Sequence, residues 1–197
     1  MAEKGIAFAD LPIHAFATAE AFEAWLADHH TEVPAIAIRL GKKGSGIASI
    51  TYPEALDVAL CHGWIDGQSK SEGERTYLQR FGKRKGKSLW SKINREHVHR
   101  LIEAGRMRPA GLAEVERAKA DGRWDAAYSS PGNARVPPDL AAALKKRRGA
   151  RARFEALDAQ NRYAILHRLE TAKKPETRAR RIAQFVELLA NGGKPLR

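Results

Sequence analysis

The breakers between Ser129 and Pro138 constrain this chain most. Ser129-Ser130-Pro131-Gly132-Asn133 is followed closely by Pro137-Pro138. Proline fixes φ and removes a backbone donor, and glycine costs more conformational entropy than other residues. Neither a helix nor a strand propagates through such a run. The 197 residues are therefore expected to fold as two blocks. These are an α+β domain over residues 1–128 and an all-helical domain over residues 139–197, joined by a linker at 129–138. Charge changes across the same seam: residues 1–138 hold 20 basic and 17 acidic side chains, and residues 139–197 hold 15 and 6. The whole chain carries a formal net charge of +12. Such a chain is drawn to polyanions, whether nucleic acid, anionic lipid or phosphorylated small molecules.

The first block mixes both periodicities. Thr18 can cap a helix to about Asp28, with Phe22, Trp25 and Leu26 on one face. Val33 to Leu40 has the character of a strand. It ends in the loop Lys42-Lys43-Gly44-Ser45-Gly46. Thr51-Tyr52-Pro53-Glu54 matches a capping box, which predicts a helix from Pro53 to His62 stopped by Gly63. Trp64–Gly67 and Thr76–Phe81 predict a hairpin turned at Ser71-Glu72-Gly73, within a small and mostly antiparallel sheet. Helices are expected from Ser91 to Ala104 and over 110–121. The second block predicts helices over 139–146, 151–157, 161–172 and 176–190. In the last, Ile182, Phe185, Val186 and Leu189 form a stripe at helical spacing.

Several kinds of chemistry are disfavoured. Cys61 is the lone cysteine, so no intrachain disulfide forms, which fits a reducing compartment. It sits at the negative end of its predicted helix among apolar neighbours, a setting that suits a structural thiol rather than a nucleophile. The histidines lack metal-ligand spacing, so no metal and no cofactor is expected. No run of 18 apolar residues marks a membrane span, and stable membrane insertion is not expected. The opening MAEKGIAFADLP lacks a basic stretch followed by an apolar one. The expectation is a cytoplasmic protein without a signal peptide.

Polar and aromatic residues cluster in three places. Arg80 to Lys92 holds six basic residues and no acid, flanked by Phe81 and Trp90. Lys83, Arg84, Lys85 and Lys87 could grip a polyanion there, or simply form a solvated loop. Trp64-Ile65-Asp66-Gly67 places a carboxylate beside a Trp directly after a helix stop. Asp66 could act as a general base, or make a turn with Gly67 while Trp64 packs in the core. Lys173-Lys174-Pro175-Glu176-Thr177-Arg178 opens the last helix, where Lys173, Arg178 and Arg181 surround a helix N-terminus suited to an anion.

These stretches carry a family resemblance. Tyr52 to Cys61, Gly63-Trp64-Ile65-Asp66-Gly67, Arg80-Phe81, Trp90-Ser91-Lys92-Ile93-Asn94, Gly105-Arg106-Met107 and Ala172 to Ile182 resemble the YdeI/OmpD-associated, bacteriocin-protection family. The resemblance implies a resistance or stress role but carries over no catalytic residues. A +12 chain repels cationic peptides, and without an export signal any protective role would be indirect and intracellular. Three readings follow. The first is a small anionic ligand held without turnover by Lys43, Trp64, Asp66, Arg80, Trp90, Ser91 and Asn94, gathered into one pocket of the first domain. The second is nucleic-acid binding through Lys83, Arg84, Lys85, Lys87, Lys173, Arg178 and Arg181. The third is an enzyme with Asp66 as base. The first is favoured, and nothing in the sequence fixes an oligomeric state.

Overall fold

The computed structural model describes residues 7–196. Residues 1–6 of the opening segment, and Arg197, lie outside the described residues. The fold is α+β. Two compact units are present. One runs to Ser88 and resumes over Arg95–Trp124; the other takes Leu89–Asn94 and everything from Asp125 onward. The division does not follow a single cut in the chain. Leu89–Asn94 joins the second unit through backbone bonds: Tyr128 N donates to Trp90 O at 3.0 Å, and Lys92 N donates to Tyr128 O at 2.9 Å.

The first unit is built on four strands, β1 (Ile13–His14), β2 (Ala35–Gly41), β3 (Trp64–Glu72) and β4 (Thr76–Lys83). Their order is β1-β2-β4-β3, antiparallel except for the parallel β1–β2 pair. Sequence reasoning missed β1, because two residues show no periodicity. Alternation along β2 and β4 separates the two faces of the sheet. Ile36 pairs with Phe81, and this face meets α1 (Ala19–His29) and α2 (Tyr52–Cys61). There Phe81 lies 6.0 Å from Phe22 and 6.5 Å from Tyr52, ring centre to ring centre. Ala35, Ala37 and Leu78 face the other way and pack with Leu11. Each large apolar side chain buried here contributes about 1.5–3 kcal/mol.

The helix signals act locally as expected. Thr18 Oγ1 accepts from Ala21 N at 3.3 Å. Thr51 and Glu54 form the reciprocal capping box at the start of α2. Gly63 ends that helix with φ of 74°, a value that glycine adopts without strain. α3 (Lys92–Glu103) and α4 (Pro109–Ala120) follow. Gly111 of α4 lets that helix reach the C-terminal end of α2. A Cβ at this position would stand 2.3 Å from Cys61 O and 2.7 Å from Leu60 O.

The second unit holds α5 (Pro138–Lys146), α6 (Ala150–Glu155), α7 (Ala159–Glu170) and α8 (Pro175–Ala190). Its core joins Leu140, Leu144, Phe154, Ile165 and Leu169 to Ile182, Phe185, Val186 and Leu189. The apolar stripe of α8 is thus buried in full. Among the described residues no helix is long and apolar enough to cross a membrane.

Candidate anion pocket in the second unit

The seven residues expected to converge on one pocket divide between the units. Lys43, Trp64, Asp66 and Arg80 belong to the first; Trp90, Ser91 and Asn94 belong to the second. Within the first unit, Asp66 and Arg80 lie on opposite faces of the sheet. Asp66 pairs with Phe81 across the β3–β4 ladder and so shares its face. Tyr52, from α2 on that face, donates its hydroxyl to Asp66 Oδ2 at 2.9 Å. Arg80 is the neighbour of Phe81 and pairs with Ala37, so the pleat directs it to the opposite face. Its stem crosses over Gly67, where a Cβ would stand 3.0 Å from Arg80 Cδ. Trp64 is a core residue: it is buried, lies edge-on to Trp25 at 6.0 Å and donates Nε1 to His30 O at 3.3 Å. Lys43 lies beyond the Gly41 end of β2, whereas Asp66 sits level with Ile36. Five strand residues separate those levels, roughly 17 Å. The two-residue period of a strand, invisible in a list of polar residues, separates Asp66 from Arg80.

The proposed nucleic-acid residues are divided as well. Arg84 is buried, so it is withdrawn from any phosphate. Lys83 Nζ donates to Thr31 O, and Arg181 donates to Arg168 O. Arg178 forms a two-pronged pair with Asp139, with Nε to Oδ2 at 2.7 Å. Lys85, Lys87 and Lys173 are exposed. Cys61 is buried, and burial pushes its thiol up to about 11, which keeps it protonated and unreactive at neutral pH. Among the described residues no group of three or more His, Cys, Asp or Glu is placed to hold a metal ion.

Charged groups do converge in the second unit, in a cleft of about 330 Å³. Lys92, Ser129, Arg135, Glu170 and Arg178 line it. Among them is Glu170, the last residue of α7. Ser129 N and Oγ both reach this carboxylate at 2.9 Å. Lys92 Nζ meets Ser129 Oγ at 2.8 Å and Glu170 Oε1 at 3.4 Å. Burial alone would raise the Glu170 carboxyl, but the bonds from Ser129 and Lys92 outweigh it and hold the group below its ordinary value. Tyr163, one helical turn and more before Glu170, donates its hydroxyl to Ser129 O at 3.0 Å. Burial pushes that phenol up to about 12, so it remains a donor. Arg178 reaches the cleft from the first turn of α8 and also donates to Leu169 O at 2.7 Å. Three cations thus line the cleft against the single carboxylate of Glu170, and that carboxylate is already engaged.

Sequence reasoning singled out Arg178 here, and it placed Lys92 in the basic stretch without a site. It missed Ser129, Arg135 and Glu170. Ser129 was counted among the breakers, and Glu170 was an ordinary helix-end carboxylate. The only signal available was that Trp90–Asn94 and Lys173–Arg181 are both unusually rich in polar groups.

Two family models match the chain. Residues 14–114 match a family described as a domain of unknown function (DUF8412). The chain belongs to the DUF8412 family. Residues 133–192 match the family described as Bacteriocin-protection, YdeI or OmpD-Associated (OmdA), the family that the sequence resembles. The OmdA match spans helices α5 to α8, and the DUF8412 match takes in the resembling segments at 52–67, 80–81, 90–94 and 105–107. No curated protein and no solved structure matches the chain. The cleft draws on both matched stretches. Lys92 comes from the DUF8412 segment, and Arg135, Glu170 and Arg178 come from the OmdA segment.

Proposed function

We propose that this chain serves a bacteriocin-protection role of the YdeI kind from the cytoplasm, by holding a small anion, without turnover, in the Lys92–Arg135–Arg178 cleft. The OmdA match supports the protective role. The single observation that carries the ligand class is that Lys92 and Arg178, 86 positions apart in the sequence, line the same cleft. Core packing gives no reason to bring cations together, because like charges repel and each must be hydrated or paired. The cleft is sized for an anion such as a phosphate ester or a small carboxylate. Arg135, exposed in the cleft lining, offers the planar fork suited to oxyanions, Lys92 offers a point charge, and Arg178, paired with Asp139 and Leu169 O, adds positive potential without an open fork. Glu170 sets selectivity by holding Ser129 and Lys92 in place.

The anion expected on charge grounds moves from the sheet of the first unit to the helices of the second. Burial of Arg84 and the engagement of Lys83, Arg178 and Arg181 count against a nucleic-acid face. Calorimetric titration with inorganic phosphate tests the reading. Saturable binding is expected, weakening about tenfold in R135M and in K92M, since a charge-assisted bond contributes about 1.5–3 kcal/mol. Absence of saturable binding, or affinity unchanged in both variants, would refute it.

A further inference from the structure

A second cleft, of about 670 Å³, lies in the first unit. Its walls come from α1, from His62 just after α2, and from the entry to α4 at Arg108, Pro109 and Ala110. The sequence builds it through two close approaches. Gly111 brings α4 against the carbonyls of Leu60 and Cys61, and Arg108 N donates to Cys61 O at 3.1 Å. Between these elements lie Glu20, Glu23, Ala24 and Ala27 of α1, with His30 just beyond its end.

His62 is the unusual member. It is 5% exposed, and neither ring nitrogen has a hydrogen-bond partner among the described residues. An imidazole left this way costs about 1–3 kcal/mol, and a natural core rarely retains such a group without a use for it. His30 lies 5.5 Å away, ring centre to ring centre and edge-on. Its Nδ1 is 2.9 Å from Leu26 O, a group that only accepts. Nδ1 therefore carries a proton, and Nε2 is the nitrogen left as a possible acceptor. Burial, with His30 beside it, lowers the basicity of His62 and favours its neutral form. Arg108 is occupied by Glu23, its Nε lying 3.0 Å from Glu23 Oε1. Acceptors therefore outnumber available donors. Glu20, Glu23 and Arg108 leave the lining with net negative charge on a chain whose total is +12. Ala24, Ala27, Pro109 and Ala110 supply an apolar wall.

We propose that this cleft binds a small aliphatic primary ammonium. The cationic head donates to His62 and His30 and faces Glu20, and the alkyl chain lies along the alanines and Pro109. Three N–H donors on one carbon-bound nitrogen match three acceptors, and the local negative charge favours a cation over an alcohol or an acid.

The test is an NMR titration with n-butylammonium chloride, following the imidazole nitrogens and side-chain protons, with butan-1-ol and butyrate as matched probes. Saturable shifts at His62 and His30 with butylammonium are expected, with at least tenfold weaker response to the other two. H62F should weaken binding at least tenfold. E20Q, an exposed change that leaves the fold intact, should weaken it about threefold and carries the test if H62F misfolds. Equal binding of butan-1-ol, or no saturable shift with butylammonium, would overturn the proposal. In the latter case solvent alone serves His62.

Discussion

In the second unit, Glu170 is met by Ser129 N, Ser129 Oγ and Lys92 Nζ; in the first, His62 is buried as deeply as a core leucine and meets no partner among the described residues. Both residues follow or end a helix, and both line a cleft. The difference lies in what the surrounding protein has supplied. Around Glu170 the bonds from Ser129 and Lys92 engage both carboxylate oxygens, in a cleft that Arg135 and Arg178 also line. Around His62 such bonds are absent, and an ammonium guest would supply a donor to its acceptor nitrogen. A satisfied polar group contributes to the stability of the fold, and a buried unsatisfied one subtracts from it. The two clefts should therefore answer to mutation with opposite signs.

The largest effect concerns how the first cleft is built. G111A places a Cβ against two backbone carbonyls that cannot move aside. The variant should lose about 3 kcal/mol or more, because overpacking against backbone exceeds the usual cost of a buried methyl. Urea denaturation measures this, and a loss under 1 kcal/mol would mean that α4 does not hold α2 as described. Next, E170A removes the acceptor shared by Ser129 and Lys92. It should cost about 2 kcal/mol, since buried donors are left unpaired. Phosphate affinity should fall with it, because the frame that holds Lys92 is gone.

Asp57 provides an intermediate case within the first unit. It accepts from Arg100 at 2.7 Å and lies 2.9 Å from His97 Nδ1. Burial raises its carboxyl, but the bonds from Arg100 and His97 outweigh this and leave it below the ordinary range. A depressed folded value means that this stabilisation is present above the unfolded pKa, near 4, and is lost as pH falls through the folded one. D57A should cost about 1–2 kcal/mol at pH 7 and much less at pH 2.5, measured by denaturation at both.

The smallest effect has the opposite sign and sharpens the comparison most. H62F replaces an unpartnered polar ring with an apolar one of similar shape, and should stabilise the chain by about 0.5–1 kcal/mol. It should also flatten the response to acid. The lowered basicity of His62 means that folding favours its neutral form, so the wild-type chain loses further stability as pH falls below the unfolded value, near 6.5, and not above it. Melting temperatures of wild type and H62F should therefore diverge between pH 7 and pH 5. Parallel curves would show that the ring is partnered after all.

Much of the scaffold was legible in the sequence. The capping box at Thr51–Glu54, the stop at Gly63 and the stripe on α8 depend on neighbours within one turn, and such signals survive without tertiary context. The hairpin was also legible: both strand starts and, within two residues, the end of β4 were placed, whereas β3 runs on past Gly67 to Glu72, into the expected turn. The candidate site was much less so. Asp66 and Arg80 are close in the ladder yet face opposite ways, a consequence of pairing register. Ser129 could be placed among breakers but not beside Glu170, 41 positions on, because only the helical packing brings them together. His62 carried no signal at all. Its burial depends on how closely Gly111 lets two helices approach, and that distance has no local signature.

The most direct measurement follows backbone amides by NMR while inorganic phosphate is added. Saturating shifts with one dissociation constant are expected at Lys92, Ser129, Asn133, Arg135 and Arg178, residues that share the cleft. Weak, unsaturated shifts scattered over exposed cations such as Lys85, Lys145 and Lys146, with the cleft unmoved, would contradict anion binding there.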